Sequence, residues 1–409
     1  MKRKIIAIIL VLCGMTVFAQ GRDMSYFYEE LTRSPATFLH RLETLEAVRD
    51  ANITGIGDFY LDALRFMITQ LPNIHSLEDR ENVEAALTIL ARGLAAEVHT
   101  AAAPELWQIV QFADVVHSHN EGHLMQEALL ALGQVGDPTY VQHIALRLDN
   151  FNTDIITDVE TRRRVQRAVV GCINALETLG DAAGYRSVFF ASMGWYDGSI
   201  RTMARNALPT LLDDPADIII EIIRDGSIVP AIKYEAFRAM LETNAPGESK
   251  ARVAATALNT GWTQLATDPN NQRIMREMRM AAIDTIRDFG ATEDSVYVNL
   301  RRSYDNNYVS VAPDYDEIRR TIGALSALAD DQAVNILLDA LRELNTRRRL
   351  GPWRTNRERQ IFGWVLVAVG ATGTSNLEMR TLLTTISRSD EYTGIEQGWA
   401  RDALNRLGN

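Results

Sequence analysis

Three places in the sequence hold residue types that could do chemistry. The first is His117-Ser118-His119-Asn120-Glu121-Gly122-His123, three imidazoles and a carboxylate within seven residues. Zinc needs three or four such ligands within bonding reach, and this spacing matches no standard motif. The same residues read as an inter-helix turn, with Asn120 capping a helix that starts at Glu121 and the histidines in solvent. The solvated turn is the favoured reading, so no metal and no other cofactor is expected. A metal-dependent enzyme using His117, His119 and His123, with His99 and His143 nearby, is the lesser alternative.

The second place is Thr346 to Arg359, which holds six arginines, one acid and a tryptophan. It lies between a helix expected to end near Leu344 and one expected to start near Glu358. Arginine forks pair with carboxylates or phosphates, and an indole offers a stacking face. Arg347, Arg348, Arg349, Trp353, Arg354, Arg357 and Arg359 are therefore candidate binding residues. The plainer reading pairs Arg354 and Arg357 with acids of neighbouring helices and tucks Trp353 against a helix. A tyrosine-bearing segment, from Tyr304 and Tyr308 to Tyr315, is expected to be a loop that lines the same face or simply links helices. Arg162-Arg163-Arg164 follows three acids and suits intrahelical pairing.

The third is Cys172, between Gly171 and Ile173 in an apolar stretch, which reads as a small buried hydrophobe. The chain contains no Gly-x-Gly-x-x-Gly, no phosphate-binding Gly-Lys-Ser/Thr loop, no Gly-x-Ser-x-Gly and no His-Glu-x-x-His. A non-enzymatic role is the expectation.

The elements that would position these residues are helices. Apolar residues make up 46% of the 409, which excludes disorder over most of the chain. From Phe38 onward apolar residues recur at three- and four-residue spacing, and long alternating β-branched runs are missing. Helical pieces are expected at Phe38–Arg49 and Asp58–Gln70, and the last helix at Glu396–Leu407. Gly136-Asp137-Pro138, Gly180-Asp181, Asp213-Asp214-Pro215, Asn244-Ala245-Pro246, Gly290-Ala291, Asp330-Asp331 and Gly370-Ala371 punctuate the pattern at intervals of roughly 30 to 47 residues. That period, with two helices per unit, marks a helical repeat array. Aligned helices share an apolar residue, a small or apolar residue four on, and a large apolar residue at eight. Examples are Leu124-Ala128-Leu132, Ile200-Ala204-Leu208, Ile232-Ala236-Met240 and Met278-Ala282-Ile286.

These motifs resemble the HEAT-repeat family, especially its bacterial short-repeat branch, whose second helix reads Asp-x-x-Val-Arg-x-x-Ala-x-x-x-Leu. Asp197-Gly198-Ser199-Ile200-Arg201, with Ala204 and Leu208, matches best. The resemblance covers about residues 80 to 409. It implies an all-α right-handed superhelix of antiparallel helix pairs, an α-solenoid. It also implies that Asp197 and Arg201 bridge successive repeats as scaffold. Residues 20–80 match less well and read as a helical capping region before repeats at 81–409. Enzymes related to this family, DNA glycosylases and bilin lyases, set a precedent that export and the absence of pigment-attachment chemistry argue against.

Export is read from the first nineteen residues. Lys2, Arg3 and Lys4 precede the apolar run Ile5–Leu12, which is too short to span a bilayer, and cleavage is expected between Ala19 and Gln20. Acylation of Cys13 is the lesser alternative, because Leu10-Val11-Leu12 lacks a small residue before it. Cleavage leaves 39 basic against 53 acidic side chains, a net charge of -14. That balance argues against nucleic acid as a partner. No later stretch suits a membrane helix. The expected protein is a bacterial periplasmic or cell-surface scaffold that binds a protein or peptide. The alternative is a binder of an anionic envelope polymer or lipid head group through Arg347–Arg359.

Overall fold

The computed structural model describes residues 24–113, 122–264, 266–310, 313–373 and 377–408. The expected leader at 1–19, Cys13, His117 and His119 lie outside the described residues. The described chain forms twenty α-helices and no strand. In order they are α1 (Met24–Thr32), α2 (Phe38–Asp50), α3 (Gly57–Gln70), α4 (Leu77–Ala96), α5 (Ala103–Phe112), α6 (His123–Val135), α7 (Val141–Thr153), α8 (Val159–Leu179), α9 (Tyr185–Met193) and α10 (Gly198–Leu211). They continue as α11 (Ala216–Arg224), α12 (Pro230–Glu242), α13 (Gly247–Thr263), α14 (Pro269–Phe289), α15 (Ser295–Tyr308), α16 (Tyr315–Leu328), α17 (Asp331–Arg349), α18 (Asn356–Ala371), α19 (Leu377–Arg388) and α20 (Gly394–Gly408).

The punctuation residues do the local work. Gly180 ends α8 at φ 62°, a left-handed cap that glycine adopts without a Cβ clash. Asp181 then starts the next turn by accepting from the Ala183 amide at 2.8 Å. Asp158, Asp268, Asp314 and Asp330 each cap a helix by accepting from the amide three residues on.

The chain divides into two compact units, one ending at Leu212 and one starting at Asp213. In the first, α2, α4, α6, α8 and α10 form one layer, each packed on the next. The alternate helices α1, α3, α5, α7 and α9 cover it, each against the following layer helix. Of residues 20–80, read as a capping region, α1, α2 and α3 pack into this stack. In the second unit α12, α14, α16, α18 and α20 form one layer, and α11, α13, α15, α17 and α19 each pack against the following layer helix. Each unit is thus a two-layer stack of paired helices of the α-solenoid kind, in which a helix touches its sequence neighbours and those two places away.

The aligned small residues sit where the layers meet: Ala128, Ala204, Ala236 and Ala282 are fully buried. Between α6 and α8 the backbones come closer still, since a Cβ on Gly133 would stand 2.8 Å from the Ala175 Cα. Ala204→Phe is therefore expected to destabilise the first unit by about 1–3 kcal/mol through overpacking. A thermal melt checks this, and an unchanged midpoint would show that α10 can move away.

Ion pairs join successive pairs of helices at one-repeat spacing. Arg92 meets Glu127, and Arg252 meets Asp217, each 35 residues apart in sequence. Arg279 meets Glu317 and Arg301 meets Asp339, each 38 apart. Asp197 and Arg201 do not take this role. Asp197 makes no side-chain cap, and Arg201 is exposed on α10 and pairs with no acid among the described residues, because it points away from the packed face. The bridging falls to arginines and acids at other positions.

Candidate functional site

The arginine segment and the tyrosine segment meet in the second unit, at the turns α15–α16 and α17–α18. Both differ locally from the expected loops. Helix α17 continues to Arg349, so Arg347, Arg348 and Arg349 form its last turn, where cations oppose the negative end of the helix. Helix α15 likewise continues to Tyr308. Tyr304 and Tyr308 therefore stand one turn apart on one face and stack at 5.7 Å between ring centroids. Tyr304 is buried and its hydroxyl has no hydrogen-bond partner. Burial, with Glu358 nearby, pushes the Tyr308 phenol up to about 12.

One side of the α17–α18 turn is anchored on Glu396. This carboxylate is fully buried at the start of α20. It accepts from the Trp353 indole at 2.6 Å and the Thr393 amide at 2.7 Å. Thr393 Oγ1 in turn accepts from the Glu396 amide at 3.4 Å, a reciprocal capping box. Arg348 Nε and Arg359 Nε stand 3.6 Å and 3.5 Å from the carboxylate. Arg348 also donates to the Glu391 carbonyl at 2.6 Å, and Arg359 to Thr393 Oγ1 at 2.9 Å. Burial alone would raise the pKa of Glu396, but bonds from Trp353 and Thr393 and the charge of Arg348 hold it below the ordinary glutamate value. The Trp353 ring packs 5.2 Å from Phe362, so the indole is tucked against α18. Arg349 is exposed beside Glu391 at 3.5 Å.

The other side faces an open groove of about 850 Å³ between the two turns. Thr355 caps α18 by accepting from the Glu358 amide at 3.1 Å. Glu358 then holds the turn: Oε2 accepts from the Arg354 amide at 2.7 Å, and Arg347 Nε lies 3.4 Å from Oε1. Arg357 sits over the Tyr315 ring at 5.5 Å. Val309 and Leu350, 73% and 80% exposed, line the groove as bare apolar side chains. A smaller cleft of about 470 Å³ lies on the Glu396 side, lined by Arg348, Trp353, Arg354, Thr355 and Arg359. Arg354 and Thr355 border both spaces. The Arg354 guanidinium is exposed and, among the described residues, makes no hydrogen bond, ion pair or ring contact.

The structure brings together Tyr308, Arg347 and Arg354 in the groove and Arg348, Trp353, Arg354 and Arg359 in the cleft. Arg349 and Arg357 line neither space, and Tyr304 supports Tyr308 from beneath. Sequence reasoning missed Glu396, Val309 and Leu350. The Thr393-x-x-Glu396 capping signature was the available sign for the first, and nothing marked the other two.

His123 is exposed at the first position of α6. His99 pairs with Asp58 at 3.5 Å, and His143 lies 5.4 Å from the Trp107 ring. Among the described residues no group of three or more His, Cys, Asp or Glu is placed to hold a metal ion. Cys172 is fully buried, and burial pushes its thiol up to about 12, which leaves no thiolate at neutral pH. No described helix is long and apolar enough to cross a membrane.

No family model matches the sequence. No curated protein matches it either. Among solved structures, a chain from work on a phosphorylation switch controlling the interaction between cadherin and beta-catenin is similar over 96% of both chains, at 13% identity and a TM-score of 0.35. A likeness at that level carries no functional weight.

Proposed function

We propose that this chain is an exported, non-enzymatic scaffold of the HEAT-repeat kind that binds a protein or peptide in the groove between the α15–α16 and α17–α18 turns. The observation that carries this is the pairing of bare Val309 and Leu350 with the unpaired Arg354 in one recess. Apolar side chains left in solvent beside an unpaired cation are what an interface core and rim require. The helical motifs at 80 to 409 support the HEAT-like assignment, and the Lys2–Ala19 pattern supports export to a bacterial periplasm or cell surface. A polymer or head-group site along Arg347–Arg359 is less well supported, because Arg347 and Arg349 lie beside Glu358 and Glu391, which breaks the segment as a continuous run of free cations.

The test is capture of a partner from envelope extract. Leu350→Asp and Val309→Asp are expected to reduce recovery of the captured partner by about tenfold, equivalent to about 1.4 kcal/mol. Their melting curves should stay near that of the parent, since both side chains are already in water. Unchanged recovery from both variants would remove the groove from consideration.

A further inference from the structure

We propose that the cleft beside the groove is a carboxylate subsite, so that the partner segment is an acidic one: apolar side chains lie on Val309 and Leu350, and an aspartate, glutamate or chain-terminal carboxylate enters between Arg348, Arg354 and Arg359. This rests on the groove reading above and names the chemistry of its ligand.

The charge count of the cleft is the first argument. Three guanidiniums border it against one carboxylate, Glu396. Glu396 is committed: its oxygens receive the Trp353 indole and the Thr393 amide, and Arg348 and Arg359 share what remains at 3.5 to 3.6 Å. Those separations exceed a hydrogen bond, and the two Nε donors are buried without an acceptor. Arg348 and Arg359 share this one acid and place their other arms on the Glu391 carbonyl and Thr393 Oγ1, so two cations meet a single counter-charge and Arg354 has none. In a chain of net charge -11 this is a local reversal of sign.

The second argument is position. Arg354 borders both spaces, so a segment lying in the groove reaches its guanidinium without leaving the surface. The Arg354 backbone is fixed by Glu358 at 2.7 Å, so its stem is held while its fork is free. Third, α18 begins at Asn356, in the wall of the same cleft. The first amides of a helix lack intrahelical acceptors and carry partial positive charge, which adds to the arginines. A planar carboxylate matches a guanidinium fork bidentately, and Trp353 forms an apolar side wall.

The experiment uses the purified protein and two labelled peptides, one of alternating leucine and glutamate and one of alternating leucine and glutamine, read by fluorescence anisotropy at low and at physiological salt. The glutamate peptide is expected to bind about tenfold tighter than the glutamine peptide, with the advantage shrinking as salt rises. Arg354→Gln should bring the glutamate peptide down to the glutamine level, and Leu350→Ser should weaken both. Equal affinity for the two peptides would overturn the carboxylate subsite and leave the groove standing. A glutamate preference that survives Arg354→Gln would overturn it too, as non-specific attraction. Failure of both peptides to bind would count against the groove itself, and the subsite would fall with it.

Discussion

Replacing Glu396 by Ala should cost about 3–5 kcal/mol, the range for removing one partner of a buried charged pair. The carboxylate is fully buried and joins the α17–α18 turn to the α19–α20 turn. Its loss leaves the Trp353 indole and the Thr393 amide without their acceptor and removes the counter-charge of Arg348 and Arg359. Arg348 and Arg359 keep some access to water, so the lower half of that range is expected. Glu396→Gln keeps the shape and one acceptor and should cost less. A thermal melt, with proteolysis mapped to α17–α20, measures both, and a shift of less than about 1 kcal/mol for the alanine variant would mean that the turns are held by packing alone. The pH response has a definite sign. Because the folded pKa of Glu396 lies below its unfolded value, its contribution is complete above about 4.5 and is lost as pH falls through the folded value. The Gln variant should lack that part of the acid destabilisation.

The second large effect is expected at the Arg279–Glu317 pair between α14 and α16. Glu317 is fully buried and receives both arms of Arg279 at 2.9 Å. The same guanidinium lies 4.1 Å above the Trp262 ring and donates to the Gly261 carbonyl at 3.1 Å. Glu317→Ala should therefore also cost about 3–5 kcal/mol, since it strands a nearly buried cation. Replacing both partners, Arg279→Met with Glu317→Leu, should restore most of that loss, because the desolvation cost disappears together with the attraction. A double variant no more stable than the single one would show that Arg279 acts mainly through Trp262 and Gly261.

Much of the fold was legible because helical period and capping are local signals. Leu124-Ala128-Leu132 and Met278-Ala282-Ile286 place a buried stripe at i, i+4, i+8, and those stripes are the layer contacts. Gly180-Asp181 and Asp330 mark helix boundaries by backbone chemistry that depends on neighbours alone. Helix ends rich in arginine or tyrosine were harder. Arg347-Arg348-Arg349 looked like a charged loop, yet arginine is a good helix former and α17 simply continues through it. The anchors of the candidate site were not legible, because they lie one repeat away. Trp353 and Glu396 are 43 residues apart, and only stacking brings them within 2.6 Å. Asp197 and Arg201 show the reverse case: a local motif matched, but its inter-repeat contact is made elsewhere.

The groove is tested most directly by photo-crosslinking. A photoreactive benzoylphenylalanine placed at Leu350, and in a separate variant at Val298, gives two exposed apolar positions in the same unit, of which only the first borders the groove. After irradiation in envelope extract, a discrete crosslinked partner is predicted from position 350, lost when Val309→Asp is added, and none from position 298. Crosslinks of equal yield from both positions, or from position 298 alone, would contradict the assignment of this groove as the binding site.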